Sequence, residues 1–255
     1  MEISLLHILS SVMVIGLRVS GLMLFAPFFG SAVIPPRIKV VLVIAITALL
    51  YPAYSPHLPA TAMSHWPILV ASETVIGIAM GVATNVVFEA AQMAGQVLSV
   101  QMGYSLVNIL DPSTQVENTV IAFFHQSIAM LIFLGLDVHH WILRAVAKSF
   151  DYLPPGSATL NPMFVQALLH EGAVVLVLRI QLSAPVLSAT LLVDVVLGLL
   201  GKASPQMPLM LLGPAVKSML GVLVFGVTMR FWPHMFEQYF SESIAYAEHL
   251  MHLAR

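Results

Sequence analysis

This sequence encodes an all-α integral membrane protein of about six hydrophobic helical segments. Three observations carry that reading. Apolar residues make up 59% of the 255-residue chain and charged residues only 9%, with a mean hydropathy of +0.93. Soluble domains carry about 25% charged residues. Several apolar runs reach the roughly 20 residues that a bilayer core requires, and no polar block is long enough to fold as a soluble domain. A net charge of −2 and a pI near 6.5 leave no footprint for nucleic acid. The absence of cysteine excludes disulfides and thiolate metal sites. Glu2 stands where a basic leader would begin, and no small-residue cleavage site follows, so the first run is expected to be retained.

That first run, about Ile3 to Phe29, crosses with some tilt. Arg18 lies inside it and is expected to pair with an acid from another helix, because an unpaired arginine there costs at least roughly 2.5–3.5 kcal/mol. Gly30 and Pro35-Pro36 turn the chain, since proline lacks a donor and fixes φ. Arg37 and Lys39 mark an interface. The second run, Val40 to Leu50, is only about eleven residues and reads as half of a hairpin. A proline-punctuated connection follows, Ala53 to Pro67. The third run, about Ile68 to Val100, extends about 50 Å and overshoots the hydrocarbon core. Gly77 and Gly81 offer another helix a close approach. Asn85, Glu89, Gln92 and Gln96 are spaced by 4, 3 and 4 and form one polar stripe. It reads either as a helix–helix seam or as the wall of an aqueous lumen.

Gly95 to Pro112 interrupts the apolar chain with glycine, glutamine, asparagine, tyrosine and serine. Broken backbone at membrane depth is tolerated only inside protein or along a water-filled cavity, so this stretch is expected to close or line a path. The fourth run is Thr119 to Leu136. His139 and His140 follow; as neighbours they do not share a helix face, and an interface role is expected of them instead of metal binding. Trp141 to Phe150 reads as a short amphipathic helix. The fifth run, about Gly172 to Leu200, holds Arg179, Asp194 and Pro185, which should kink it. The sixth, Leu209 to Trp232, holds Pro214 and Lys217. In the tail, Phe236, Phe240, Ile244, Ala247, Met251 and Ala254 form an apolar stripe with acids on other faces. Its acidity disfavours anionic lipid and points to a protein partner.

The short and overlong runs together suggest helical hairpins packed into an assembly. No phosphate-binding glycine loop, nucleophile elbow or paired-carboxylate set is present in the sequence, and no metal or cofactor is expected. Arg18, Glu73, Asp194 and Lys217 are functional candidates as intramembrane charges, expected here to hold subunits in register.

An ordered set of motifs then points to a family. Arg18-Val19-Ser20-Gly21, Ala26-Pro27-Phe28-Phe29-Gly30 and Ile34-Pro35 open it. Gly95-Gln96, Gln101-Met102-Gly103-Tyr104-Ser105 and Asp111-Pro112 stand at the centre. His139-His140, Ser149-Phe150 and Leu153-Pro154 follow, then Asp194, Gly198-Leu199 and Pro205-Gln206-Met207. The chain resembles the FliR family, the R subunit of the flagellar type III protein-export gate, over about residues 15 to 232. Tyr104, Lys202 and Pro208 are mild departures.

The resemblance implies a subunit of the bacterial inner membrane at the flagellar basal body. It implies stacked hairpins around a pore shared with FliP-like and FliQ-like subunits. A FlhB-like subunit is an associated partner and a FlhA-like subunit a further candidate; unfolded flagellar proteins are the substrates. It also implies a P-like part to about residue 155, a Q-like part over about 160–232, and a pore plug at Gln101, Met102, Gly103, Tyr104, Ser105, Asn108, Asp111, Pro112 and Gln115. Gly103 is expected to lend that loop flexibility. The virulence-secretion R subunit is the near alternative, and a small-solute transporter, for which no internal repeat is visible, the distant one.

Overall fold

The computed structural model describes residues 5–31, 34–55, 66–104, 119–159, 161–204 and 209–254. Helices α1 (Leu5–Phe25), α2 (Pro36–Tyr54) and α3 (Trp66–Gln101) precede α4 (Val120–Gly135) and α5 (Val138–Tyr152). Then come α6 (Pro162–Ala203), α7 (Leu209–Thr228), a 3-10 turn (Met229–Phe231) and α8 (Trp232–Leu253). The described residues contain no strand. Five segments are long and apolar enough to cross a membrane: Ile8–Phe25, Pro36–Tyr54, Trp66–Gln101, Pro162–Ala203 and Leu212–Leu253. The broken pair α4 and α5 makes a sixth if it is counted as one span.

Two element boundaries differ from the sequence reading. The second run is longer than the eleven or so residues expected of it: it is a 19-residue helix, long enough to cross a membrane. Pro35 is its N-cap and Pro36 its first residue, where a missing N–H costs nothing because no partner exists for it. The fifth run does not begin near Gly172: α6 is 42 residues long and passes through Pro185. Asn161 starts it, its Oδ1 accepting the N–H of Phe164 at 2.8 Å as an N-cap side chain does. At 1.5 Å per residue α3 and α6 extend about 54 and about 63 Å, so both overshoot a hydrocarbon core of about 30 Å.

The chain packs as two compact units. One comprises Met1–Val86, Asp137–Ala173 and Tyr239–Arg255; the other, Val87–Leu136 and Val174–Gln238.

Arg18 is the hub of the first unit and is wholly buried. Its Nε donates to Glu73 Oε2 at 2.7 Å, and Nη2 lies 2.7 Å from the same oxygen. Nη1 donates to the Ser149 carbonyl and hydroxyl at 3.0 and 3.2 Å, and Nη2 to the Leu153 carbonyl at 3.0 Å. The guanidinium carbon sits 4.3 Å from the Phe150 ring centroid. The other Glu73 oxygen accepts the Gly156 N–H at 3.1 Å. One planar fork thereby ties α1, α3 and α5, the rigid geometry that arginine offers and lysine does not. The helices come close enough for this because Gly77 faces the Arg18 carbonyl and Gly21 faces the Thr74 carbonyl. A Cβ on Gly21 would fall 2.7 Å from that oxygen, and one on Gly77 would collide outright.

α8 closes the same unit. There the apolar stripe expected of the tail is buried at Phe240, Ala247, Met251 and Ala254, and Phe236 is buried in the second unit. Ser243 donates to the Ala83 carbonyl at 2.6 Å and Tyr246 to the Ala167 carbonyl at 2.7 Å. The stripe is therefore covered by the chain itself and not by the protein partner the acidity suggested.

In the second unit Thr119 caps α4 through the Ala122 N–H. Gly95 of α3 meets the Ala122 backbone so closely that no Cβ fits. Phe88 and Phe133 meet edge to face at 5.3 Å. His125 is buried between Phe225 and Trp232, at ring separations of 4.7 and 4.8 Å.

Candidate functional site

The polar interruption begins where α3 ends, and that end is closed in a defined way. Gly103 adopts φ +88. The Tyr104 N–H returns to the Ser99 carbonyl at 2.9 Å and the Gly103 N–H to the Val100 carbonyl at 3.1 Å. This is the Schellman pattern of helix termination, which requires a left-handed residue and favours glycine. Gly103 is thus present for a fixed left-handed conformation, not for the flexibility expected of it. Pro214 reinforces the requirement: a Cβ on Gly103 would lie 2.9 Å from its Cβ.

The rest of the turn is seated on one face of α7. Pro214, Lys217, Ser218 and Gly221 are spaced by 3, 1 and 3, so all four lie on one side of that helix. Met102 is buried under Gly221, where a Cβ would approach its Cε to 2.7 Å. Ser218 donates to the Tyr104 hydroxyl at 2.6 Å. Gln101 Nε2 donates to Asp194 Oδ2 at 3.0 Å, and Lys217 forms an ion pair with Asp194 Oδ1. Residues 101 to 104 therefore have four anchors: a backbone cap, a packed methionine, a hydroxyl pair and an amide bound to an ion pair.

Of the residues the sequence reading assigned to the loop, Gln101, Met102, Gly103 and Tyr104 make up this root. Ser105, Asn108, Asp111, Pro112 and Gln115 lie outside the described residues. The anchors Pro214, Ser218 and Gly221 were missed as site residues. Their signal was present in the spacing, but small and polar residues at helical intervals also mark ordinary packing.

The four charges expected to hold subunits in register pair within the chain instead. Glu73 is the partner of Arg18, and Lys217 the partner of Asp194. For the buried Arg18–Glu73 pair the physical reason is desolvation: a charge buried as the chain folds needs its counter-charge in the same fold. The stripe keeps one face. Asn85, Gln92 and Gln96 are half-buried and Glu89 exposed, opposite a buried row of Val87, Ala90, Ala91, Ala94 and Leu98.

Gly30 accepts the Lys39 ammonium on its carbonyl at 2.9 Å, which fixes the turn into Pro35 and α2. His139 and His140 open α5, and their rings stand 4.1 Å apart, although neighbours were expected on different faces. Helical side chains lean toward the N-terminus; in the first turn they project past the helix end and can meet.

Comparison with known proteins supports the family resemblance. The chain is 28% identical to flagellar biosynthetic protein FliR of Escherichia coli (strain K12) over 233 residues, covering 88% of both chains. It is 27% identical to flagellar biosynthetic protein FliR of Pectobacterium carotovorum over 229 residues, covering 88% of this chain and 86% of that one. It is also 27% identical to secretion system apparatus protein SsaT of Salmonella typhimurium over 179 residues, 70% of this chain and 68% of the relative. The model of the bacterial export proteins, family 1, matches residues 9–243, and the chain belongs to that family.

Proposed function

We propose that this chain is the R subunit of a type III protein-export gate in the bacterial inner membrane, serving flagellar assembly. It joins P-like and Q-like subunits around a pore for unfolded proteins, next to FlhB-like and FlhA-like partners, with its own residues to about 155 as a P-like part and about 160–232 as a Q-like part. The loop 101–115 closes the pore, and the stripe Asn85, Glu89, Gln92 and Gln96 faces the lumen or a seam with a neighbouring subunit. The observation that carries this reading is the anchored root at 101–104. A plug needs a fixed hinge point and a free polar segment beyond it. Here a left-handed cap and one face of α7 hold the chain immediately before a segment whose polar groups are mostly uncharged, among them Ser105, Asn108, Ser113, Thr114 and Gln115. Such groups make hydrogen bonds of about 0.5–1.5 kcal/mol each, weak enough for a driven polypeptide to displace.

A specific observation favours a second reading, a virulence-secretion gate. The relative from Salmonella is named as a secretion apparatus protein and is as similar as one of the two flagellar ones. Coverage supports the flagellar reading, at 88% of this chain against 70%. Purification of the tagged chain from its native membrane in mild detergent, followed by mass spectrometry, separates the readings. Stoichiometric FliP-like and FliQ-like proteins are expected. Virulence-type counterparts in their place would transfer the assignment, and a homogeneous complex of this chain alone would end the gate reading.

A further inference from the structure

The first turn of α5 brings three metal-ligating side chains to one point. Asp137 is its N-cap and adopts a left-handed conformation, φ 55 and ψ 28. An aspartate there ordinarily accepts a backbone N–H of the first turn, yet its side chain makes no capping bond. Its Oδ1 turns instead to two imidazoles, 3.5 Å from His140 Nδ1 and 3.9 Å from His139 Nε2. One ligand atom from each of the three residues falls within 4.8 Å of the others.

We propose that Asp137, His139 and His140 form a binding site for a divalent transition-metal ion of the Zn2+ type, with three protein ligands and the remaining position open to water. The geometry is close to that required. Bonds of about 2.0–2.2 Å in a tetrahedron set donors roughly 3.4 Å apart; the carboxylate–imidazole separations of 3.5 and 3.9 Å lie near this, and all three donors lie within 4.8 Å of one another. Small side-chain rotations close that difference. Two imidazoles and one carboxylate select zinc, nickel, copper or iron over magnesium and calcium, which prefer all-oxygen shells. Access is open: the side chains of His139, His140 and Asp137 are 26%, 58% and 68% exposed. The positive end of the α5 dipole opposes a cation there, and the Asp137 carboxylate offsets it.

A plainer arrangement uses fewer of these groups. Asp137 and His140 are three residues apart and make an ordinary ion pair at a helix start. His139 stands farther off, 3.9 Å from the same oxygen, and only the three-ligand account needs its ring nitrogen for metal binding, so a His139 variant discriminates between the two accounts. The test uses the full chain in detergent, purified on a tag without histidine and stripped with a chelator. CoCl2 is titrated while visible absorption reports coordination and dialysis counts the ion. We expect one Co2+ per chain, displaced by Zn2+, with affinity falling about tenfold or more in His139→Ala and in the isosteric Asp137→Asn. His249→Ala, elsewhere in the chain, is expected to bind as the parent does. No Co2+ bound, or binding unchanged by both His139→Ala and Asp137→Asn, overturns the site. A response to Asp137→Asn alone reduces it to the ion pair and overturns the three-ligand assignment.

Discussion

Two interhelical ion pairs of this chain, Arg18–Glu73 and Asp194–Lys217, have the same chemistry and opposite environments. Both side chains of the first are fully buried. Every guanidinium nitrogen has an acceptor, and both carboxylate oxygens are occupied. The second pair is 38% and 21% exposed and holds one further partner, the amide of Gln101. A buried pair of the first kind cannot lose a member without stranding a charge. A half-exposed pair can separate into water at little cost. The difference separates a contact that the fold requires from one that can be made and broken. The breakable one stands at the root of the central loop.

Removing one member of the buried pair should have the largest effect. Arg18→Ala leaves Glu73 uncompensated, a loss of about 3–5 kcal/mol. Folded chain recovered in detergent should fall to a small fraction of the parent. Arg18→Lys should recover only part, because an ammonium cannot reach the Ser149 and Leu153 carbonyls and Glu73 together. Full recovery with lysine would mean that charge alone matters there, and the contrast between the two pairs would shrink.

Gly103→Val should come next and should separate the two regions. It forces a β-branched residue into a left-handed conformation, a strain of about 1–3 kcal/mol, and drives a side chain into Pro214. The expected outcome is a chain that accumulates and folds but conducts ions across the membrane when assembled. Conductance equal to the parent, with the variant present at parental level, would remove the turn from any closing role.

How far the sequence carried this picture depends on the length scale of the signal. Membrane class follows from composition, the overlong α3 from the length of its apolar run and the buried stripe of the tail from periodicity, all signals spread over many residues, and all are found. Arg18 could be flagged because an intramembrane arginine demands a partner. Its partner Glu73 lies 55 positions away, and spacing does not reveal which of several acids the fold will bring near. The loop root shows the same limit. Gly103 stood out, but its role was misjudged: a glycine in a polar run reads as freedom until the carbonyls it caps are seen. At Pro35-Pro36 the expected turn is found, but the following helix was expected from Val40 and begins at Pro36. Proline ends a helix or begins one, and only the hydrogen bonds of the following residues decide which. Pro214, Ser218 and Gly221 stand at helical intervals that ordinary packing also produces, so they were not singled out as a site until Met102 and Tyr104 were found against them.

The smallest effects belong to the half-exposed side, and their size tests the comparison most sharply. Lys217→Ala removes an ion pair of about 0.2–1 kcal/mol and leaves Asp194 bound to Gln101. Ser218→Ala removes one neutral hydrogen bond to the Tyr104 hydroxyl, and Tyr104 is 38% exposed, so water or a neighbouring group replaces much of it and the loss falls near the low end of about 0.5–1.5 kcal/mol. Neither should lower the yield of folded chain. Salt distinguishes them. Screening at about 8 Å in physiological buffer weakens exposed charge pairs, so raising the salt should reproduce the Lys217→Ala effect on conductance in the parent chain, leave the Lys217→Ala variant itself unmoved, and add undiminished to Ser218→Ala. Two anchors of comparable strength that respond to different variables would then account for a root that holds at rest and yields under load. If Lys217→Ala instead destabilised the chain as severely as Arg18→Ala, the Asp194 pair would be a second structural hub, and the root of the loop would be no easier to release than the core.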